Sequence, residues 1–383
     1  MIGVGCHYKV VAFGEIDPKA AERVVEEVVR IRGLAVREPI RFQELSAGAL
    51  RREVEADLTR MKTDGSIATW QKAWTRLGLL DRDVDLAQAY TDLYGDEPAG
   101  YYDDESRKMR IVVRERLRTE VGEIVGLIRR RDPIYGEALA HEVAHALQDQ
   151  RWQLRTMHRG ANEDERLARR ALVEGDASKV GFHYGALFFS SFASFSEYLE
   201  RRIDALNAGD KTPRHLRDTF QFPYVYGSLF VEKLWQAGGW ARVNAAWDDP
   251  PRSTEQILHP EKYLTTPRDE PRPVATELPA PEGWKRIYSL TLGELGTREL
   301  VGREAALGWG GDHAEVWEDG KGRLAMAWAT VWDDETAAAR FESEYRRRAG
   351  AAGEPMTITR KGTRVAIVRG VDSPETIERA LAD

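Results

Sequence analysis

The sequence predicts an α+β protein: a mainly helical domain with a small edge β-sheet, followed by a small C-terminal α+β domain. Three observations predict it. Helix start and stop signals dominate residues 17–265. Two short stretches, 40–45 and 100–113, read instead as strands. The stretch TPRDEPRPVATELPAPEG (266–283) holds five of the sixteen prolines and divides this part from a strand-rich tail. The expected division is a mainly helical N-terminal region over 1–80, a second domain over 81–265, a linker over 266–284 and an α+β domain over 285–383.

Asp17-Pro18 pairs an N-cap with a proline in the first turn, and the helix should run to Ile31 and stop at Gly33. IRFQEL (40–45) alternates like a strand. Ser46 opens a helical stretch to about Leu80, broken near Asp64-Gly65. GYYDDESRKMRIVV (100–113) reads as two strands around a polar turn. Asp132-Pro133 suggests another cap, with a helix following, and a second helix should cover Glu163 to about Tyr184. Beyond the proline-rich stretch, hairpins are expected to turn at Asp319-Gly320 and Lys361-Gly362, with a helix between them and a last helix capped by Ser373.

Composition narrows the function classes. Of 383 residues, 42% are hydrophobic and 31% charged, enough for sizeable cores under a well-solvated surface. The net charge of −7 is spread along the chain, with no basic stretch of the kind nucleic acid requires. No run approaches the ~18 apolar residues of a membrane-spanning helix. The single cysteine, Cys6, excludes an internal disulfide. MIGVGCHYKV lacks the basic head and long apolar run of a signal peptide, so the default expectation is cytoplasmic. The alternative is an exported lipoprotein anchored at Cys6, should the chain begin further upstream.

The chemistry is concentrated in HEVAHALQDQ (141–150). Residues four apart on a helix project about 40° from one another, so His141 and His145 can offer imidazole nitrogens to one metal ion. Glu142 sits about 100° round, beside the metal's water rather than on the metal. This is the H-E-x-x-H arrangement, in which the glutamate is a general base. Leu139, Val143 and Leu147 add an apolar stripe, and Ala140, Ala144 and Ala146 keep the neighbourhood small.

A catalytic zinc needs a third protein ligand and an open fourth position. ALVEGDAS offers Glu174, 29 residues after His145, a distance that a helix, a turn and a returning helix span easily. Ala171 and Ser178 share its face and leave room for a neighbouring helix. His183 would point away from Glu174, nine residues on. His158, in an expected loop, stays open as a rival.

ALAHEVAHALQDQRW together with ALVEGDAS resembles the gluzincin metallopeptidases. More narrowly, the chain resembles a group of bacterial gluzincin-like proteins sharing HE–H-LQDQ, ALVEG-A, a G-YD strand (here Gly100, Tyr102 and Asp103) and STEQILHPEKY (Ser253 to Tyr263). The resemblance covers roughly residues 30–265, and extends more weakly through GWGGD and ATVWDD. It implies a zincin-like fold for 81–265, Zn²⁺ on His141, His145 and Glu174, and hydrolysis of peptide or protein substrates with Glu142 as base. It also implies an oxyanion-binding tyrosine in a P-Y-x-x-G segment opening a helix, here Tyr224 after Pro223, with Tyr226 as runner-up. His259 is expected to be structural.

Two features depart from that pattern. Ser178 stands where thermolysin-like enzymes place an aspartate that orients a zinc histidine, with Asp176 pointing elsewhere, and the spacing of 29 from His145 to Glu174 is longer than in those enzymes. The strand around Met109–Val113 is expected to pair with an extended substrate. The competing reading is a zincin-fold binding or scaffold protein without turnover.

Overall fold

Asp17 starts the first helix as expected: its carboxylate accepts from Lys19 N at 2.9 Å and Ala20 N at 3.2 Å. Helix α1 runs Pro18–Arg32 and ends at Gly33, whose φ of 72° suits glycine. The computed structural model describes residues 11–12, 15–94, 100–113, 133–189, 197, 212–349 and 354–382. The expectations for Cys6 and Asp132 fall outside the described residues.

A minimal antiparallel ribbon, β1 (Val11–Ala12) and β2 (Glu15–Ile16), precedes α1. After α1 come β3 (Arg41–Ser46), α2 (Ala47–Thr63), α3 (Ser66–Leu77) and α4 (Leu86–Tyr94). The break between α2 and α3 falls at Gly65, with φ 76°. The expected two-strand unit is β4 (Gly100–Asp103) and β5 (Lys108–Val113). The sheet order is β3-β5-β4, with β3 parallel and β4 antiparallel to β5. This corrects the substrate-strand expectation: Met109–Val113 is the central strand, both its edges are taken, and the edge facing the site is β4.

Three long helices carry the body: α5 (Pro133–Trp152), α7 (Glu163–Phe189) and α8 (Arg214–Asp248), with short α6 (Leu154–Met157) between the first two. Helix α8 breaks at Gly238–Gly239, where Gly239 has φ 61°. It starts at Arg214, so Pro223 lies inside the helix and does not open it. The cost is one missing backbone hydrogen bond. Residues Ala20, Val24 and Val28 of α1 bury against Ala140, Val143 and Leu147 of α5 and Val180 of α7. No helix among the described residues is long and apolar enough to cross a membrane.

The tail is the expected α+β unit. Strands β6 (Trp284–Leu290), β7 (Trp309–Asp319), β8 (Leu324–Trp332), β9 (Met356–Lys361) and β10 (Arg364–Arg369) form an antiparallel sheet in the order β6-β7-β8-β10-β9. Helices α11 (Gly293–Val301), α12 (Arg303–Ala306), α13 (Glu335–Ala349) and α14 (Pro374–Ala380) pack on it. Ser373 precedes α14, but its hydroxyl meets Thr376 Oγ1 at 2.6 Å and caps no backbone N–H. One sheet face buries Trp309, Trp328 and Trp332 against Phe341 of α13 and against Ala73 and Leu77 of α3. Residues from the first eighty are thus divided between two cores.

The proline-rich stretch has no helix or strand, yet it is no free tether. Arg272 N donates to Gly310 O at 2.6 Å, Leu278 N to Glu315 Oε1 at 3.1 Å, and the Leu278 side chain fills the core beside Trp317. A Cβ on Gly311 would lie 2.4 Å from Arg272 O, so that glycine lets the strap lie flat on the sheet.

Short helices α9 (Thr254–Leu258) and α10 (Pro260–Leu264) form the seam between body and tail. Ser253 Oγ caps α9, accepting from Gln256 N. Lys262 Nζ lies 2.6 Å from Glu255, 2.9 Å from Asp269 and 2.7 Å from Asp333. His259 Nε2 meets Glu294 of α11 at 3.0 Å, which gives this histidine a structural place. The polar residues of STEQILHPEKY therefore hold the seam.

Candidate metal centre

The α5–α7–α8 packing fixes the site before any polar contact is made. On α7, a Cβ at Gly175 would lie 2.1 Å from Gly227 O, and one at Gly227 would lie 2.1 Å from Ala171 O. Backbones that close require glycine on both sides. Gly181 similarly brings α7 within reach of Glu137 O and the Cβ of His141 on α5. Glu174, beside Gly175, and Tyr224, three residues before Gly227, are thereby brought over the two histidines.

The three expected ligands converge. His141 Nε2 and His145 Nε2 are 3.0 Å apart, and Glu174 Oε2 is 3.2 Å from the first and 3.3 Å from the second. The imidazole rings stand nearly perpendicular, at 84°, with centroids 4.7 Å apart. On its far side, His145 Nδ1 lies 2.8 Å from Gln148 Oε1. Gln148 Nε2 donates to Val173 O at 3.3 Å, next to Glu174. Gln148 therefore links the histidine's ring to the chain segment carrying the carboxylate.

The Glu142 carboxylate accepts from Tyr102 N at 2.8 Å, so the outer edge of β4 holds it in place. Asp149 of the same motif accepts from Leu154 N at 2.9 Å and from Tyr102 Oη at 3.0 Å. Gln150 accepts from Arg37 N and donates to Glu38 O, both at 2.8 Å. The LQDQ segment is thus a set of anchors around the helix that bears the histidines.

Electrostatics favour a cation among these groups. Burial is the largest influence on the His145 ring and pushes it toward neutrality, but the charge and hydrogen bond of Glu174, the Glu142 charge and the Gln148 hydrogen bond together outweigh it and raise the pKa to about 9. Burial works against the Glu174 charge too, yet the two imidazoles hold that carboxyl well below its ordinary range. The Tyr224 ring lies 6.2 Å from that of His141, at 27°. The Glu174 charge, and burial, push its hydroxyl upward, so Tyr224 is a hydrogen-bond donor and not a phenolate at neutral pH. Arg170 opposes that shift through a hydrogen bond to Tyr224, and its Nε lies 3.8 Å from Glu174 Oε1.

The rivals lie elsewhere. His183 sits against Phe182 and Trp235, and His158 Nδ1 faces Asp104 at 3.7 Å. Tyr226 turns to Phe222 and Arg298, leaving Tyr224 as the tyrosine at the histidines. Asp176 accepts from Arg32 Nε at 2.7 Å and from Trp247 Nε1 at 2.8 Å, a buried tie between α1, α7 and α8. Among the described residues the buried Ser178 hydroxyl has no hydrogen-bond partner.

Gln148, Arg170 and Tyr102 are the site residues to which sequence reading gave no role, although Gln148 and Tyr102 stand in the motifs quoted above. Two had a signal: Gln148 is three residues after His145, and Arg170 four before Glu174, each on the face of an expected ligand. A second acidic cluster, Glu255, Asp269 and Asp333, is centred on the Lys262 ammonium, which already contacts all three.

Residues 286–380 match a domain family described as a domain of unknown function, DUF8575, which covers the C-terminal sheet and not the histidine site. No curated protein and no solved structure matches the chain.

Proposed function

We propose that the chain is a zinc-dependent metallopeptidase on a zincin-like helical domain, similar to the gluzincins. The observation that carries this reading is the triangle of donor atoms. Ligands about 2.0–2.2 Å from a tetrahedral zinc stand roughly 3.3–3.5 Å apart. The edges here are 3.0, 3.2 and 3.3 Å, from two neutral-capable imidazoles and one carboxylate. His141, His145 and Glu174 would hold the ion, and the glutamine behind His145 fits the hydrogen-bonded support that metal-ligating histidines receive.

Such an ion supplies Lewis acidity, which acidifies water and polarises a carbonyl. Glu142, held by Tyr102 N, accepts the proton of the attacking water and returns it to the leaving amine. The Tyr224 hydroxyl, kept protonated and hydrogen-bonded to Arg170, donates to the oxygen that gains negative charge. The outer edge of β4 is the backbone nearest Glu142, and an extended peptide would align along it.

The test is metal analysis of the purified protein beside a peptide-library cleavage assay, with wild type and Glu142→Gln compared. Stoichiometric zinc in both, with cleavage in wild type alone, is the expected result. Zinc without any Glu142-dependent cleavage favours the scaffold reading, and no zinc in wild type refutes the zinc-peptidase reading.

A further inference from the structure

We propose that Arg170 is a positioning residue: it keeps Glu174 on the metal through one oxygen and aims the Tyr224 hydroxyl at the position so left open. The inference rests on the metallopeptidase reading and deepens it.

The helix crossing fixes where the Glu174 side chain starts, not where its carboxylate ends. Gly175 and Gly227 set the approach of the α7 and α8 backbones. A glutamate keeps three side-chain torsions beyond that, and the last is broad and roughly two-fold. Its two oxygens exchange places unless a neighbour distinguishes them. Oε2 lies 3.2 Å from His141 Nε2 and 3.3 Å from His145 Nε2, whereas Oε1 lies 3.8 Å from Arg170 Nε. Among the described residues Arg170 is the cation at Oε1. It stands one helical turn before Glu174, where side chains share a face.

That division bears on the metal. A carboxylate can hold a cation through one oxygen or through both. Two imidazole nitrogens and one carboxylate oxygen make three donors, which leaves the fourth tetrahedral position for water. A second oxygen from Glu174 would crowd that position. The Arg170 pair is too long for a hydrogen bond and its guanidinium side chain is 37% exposed, so the pair adds little stability. Choosing between two settings of one terminal torsion requires little.

The second contact runs to α8, where the same side chain hydrogen-bonds the Tyr224 hydroxyl. A phenol oxygen that accepts a bond keeps its own proton to donate, and donates it more strongly. Arginine suits both tasks because its planar fork carries donors on separate nitrogens at fixed angles. One residue thus couples a metal ligand on α7 to the oxyanion donor on α8.

The experiment replaces zinc with cobalt(II) in wild type, Arg170→Met and Arg170→Lys, after thermal melts confirm each fold. Visible absorption reads the coordination, strong for four donors and weak for five. Arg170→Met should lose absorption intensity, bind zinc about tenfold more weakly, and lose about tenfold or more in kcat at nearly constant KM. Arg170→Lys, which keeps the charge without the fork, should recover the absorption and not the rate. A wild-type spectrum in Arg170→Met overturns the proposal, as does a raised KM at unchanged kcat, which would make Arg170 a substrate contact. Metal bound by wild type without cleavage sinks the hydrolase reading alone, because the spectrum still decides how Glu174 binds. Wild type that takes up neither zinc nor cobalt overturns the metal reading, and this inference falls with it.

Discussion

Gln148 Oε1 stands 2.8 Å from His145 Nδ1, on the side of the ring opposite the nitrogen that faces His141 and Glu174. Since the same amide donates to Val173 O, one side chain orients a ring and ties α5 to α7. Gln148→Leu should therefore weaken zinc affinity about 10–100-fold with the fold retained. Competition against a fluorescent chelator measures it, and an unchanged affinity would remove Gln148 from the site's support.

In the proposed reaction Glu142 transfers a proton and does not bind the metal; its carboxylate accepts from the Tyr102 backbone N–H at 2.8 Å. Glu142→Gln should keep wild-type zinc content while turnover falls by at least about 10²-fold. His141→Ala, by contrast, should lose the metal. Chelation of wild type should lower its melting temperature, because whatever binds only the folded chain stabilises it.

The α7–α8 crossing leaves no space for a methyl group, since a Cβ at Gly227 would lie 2.1 Å from Ala171 O. Gly227→Ala should cost about 1–3 kcal/mol in urea unfolding, because the helices must separate. The same separation moves Tyr224 and Glu174, so zinc affinity should fall with stability. Full affinity in a destabilised variant would show that the crossing does not set the ligand geometry.

Arg32 and Asp176 form a buried pair, with both side chains at 0% exposure. The guanidinium is also covered by the Trp240 ring at 4.4 Å and donates to Asn244 Oδ1 at 2.7 Å. Asp176→Asn should cost about 3–5 kcal/mol by stranding that charge. Zinc stoichiometry should not change, which separates this structural role from a ligand-orienting one.

The seam should make stability pH-dependent. Burial raises the Asp164 pKa from 3.8 to about 8, against the opposing hydrogen bonds from Thr254. A carboxyl whose folded pKa is raised contributes fully below the unfolded value, and that contribution is lost as pH climbs to the folded value. Wild type should therefore lose stability between about pH 4 and pH 8, and Asp164→Asn should flatten that slope. Urea titrations at several pH values decide it; an unchanged slope in the variant would assign the dependence to other groups.

Local signals were legible wherever one residue type has one physical use. Asp17, Pro18 and Gly33 mark the ends of α1 because caps and positive φ admit few residues. The i, i+4 histidines declared a shared face because the helical repeat leaves no other arrangement. Pro223 misled because a proline can sit inside a helix already committed by its flanks. The proline-rich strap misled differently: composition reported the lack of helix and strand correctly, but not that Leu278 and Arg272 dock it on the sheet.

By itself, the sequence determined the donor types, their helical faces and the glutamate beside them, because these depend on spacing along one chain segment. Only the tertiary structure decided that Glu174 meets the histidines, that Asp176 answers Arg32, that β5 is central and that α3 belongs to the C-terminal core. Those outcomes depend on which faces pack across large separations in the chain, and packing at that distance is set by shape, through contacts such as Gly175 on Gly227, which leave no periodic trace in the sequence.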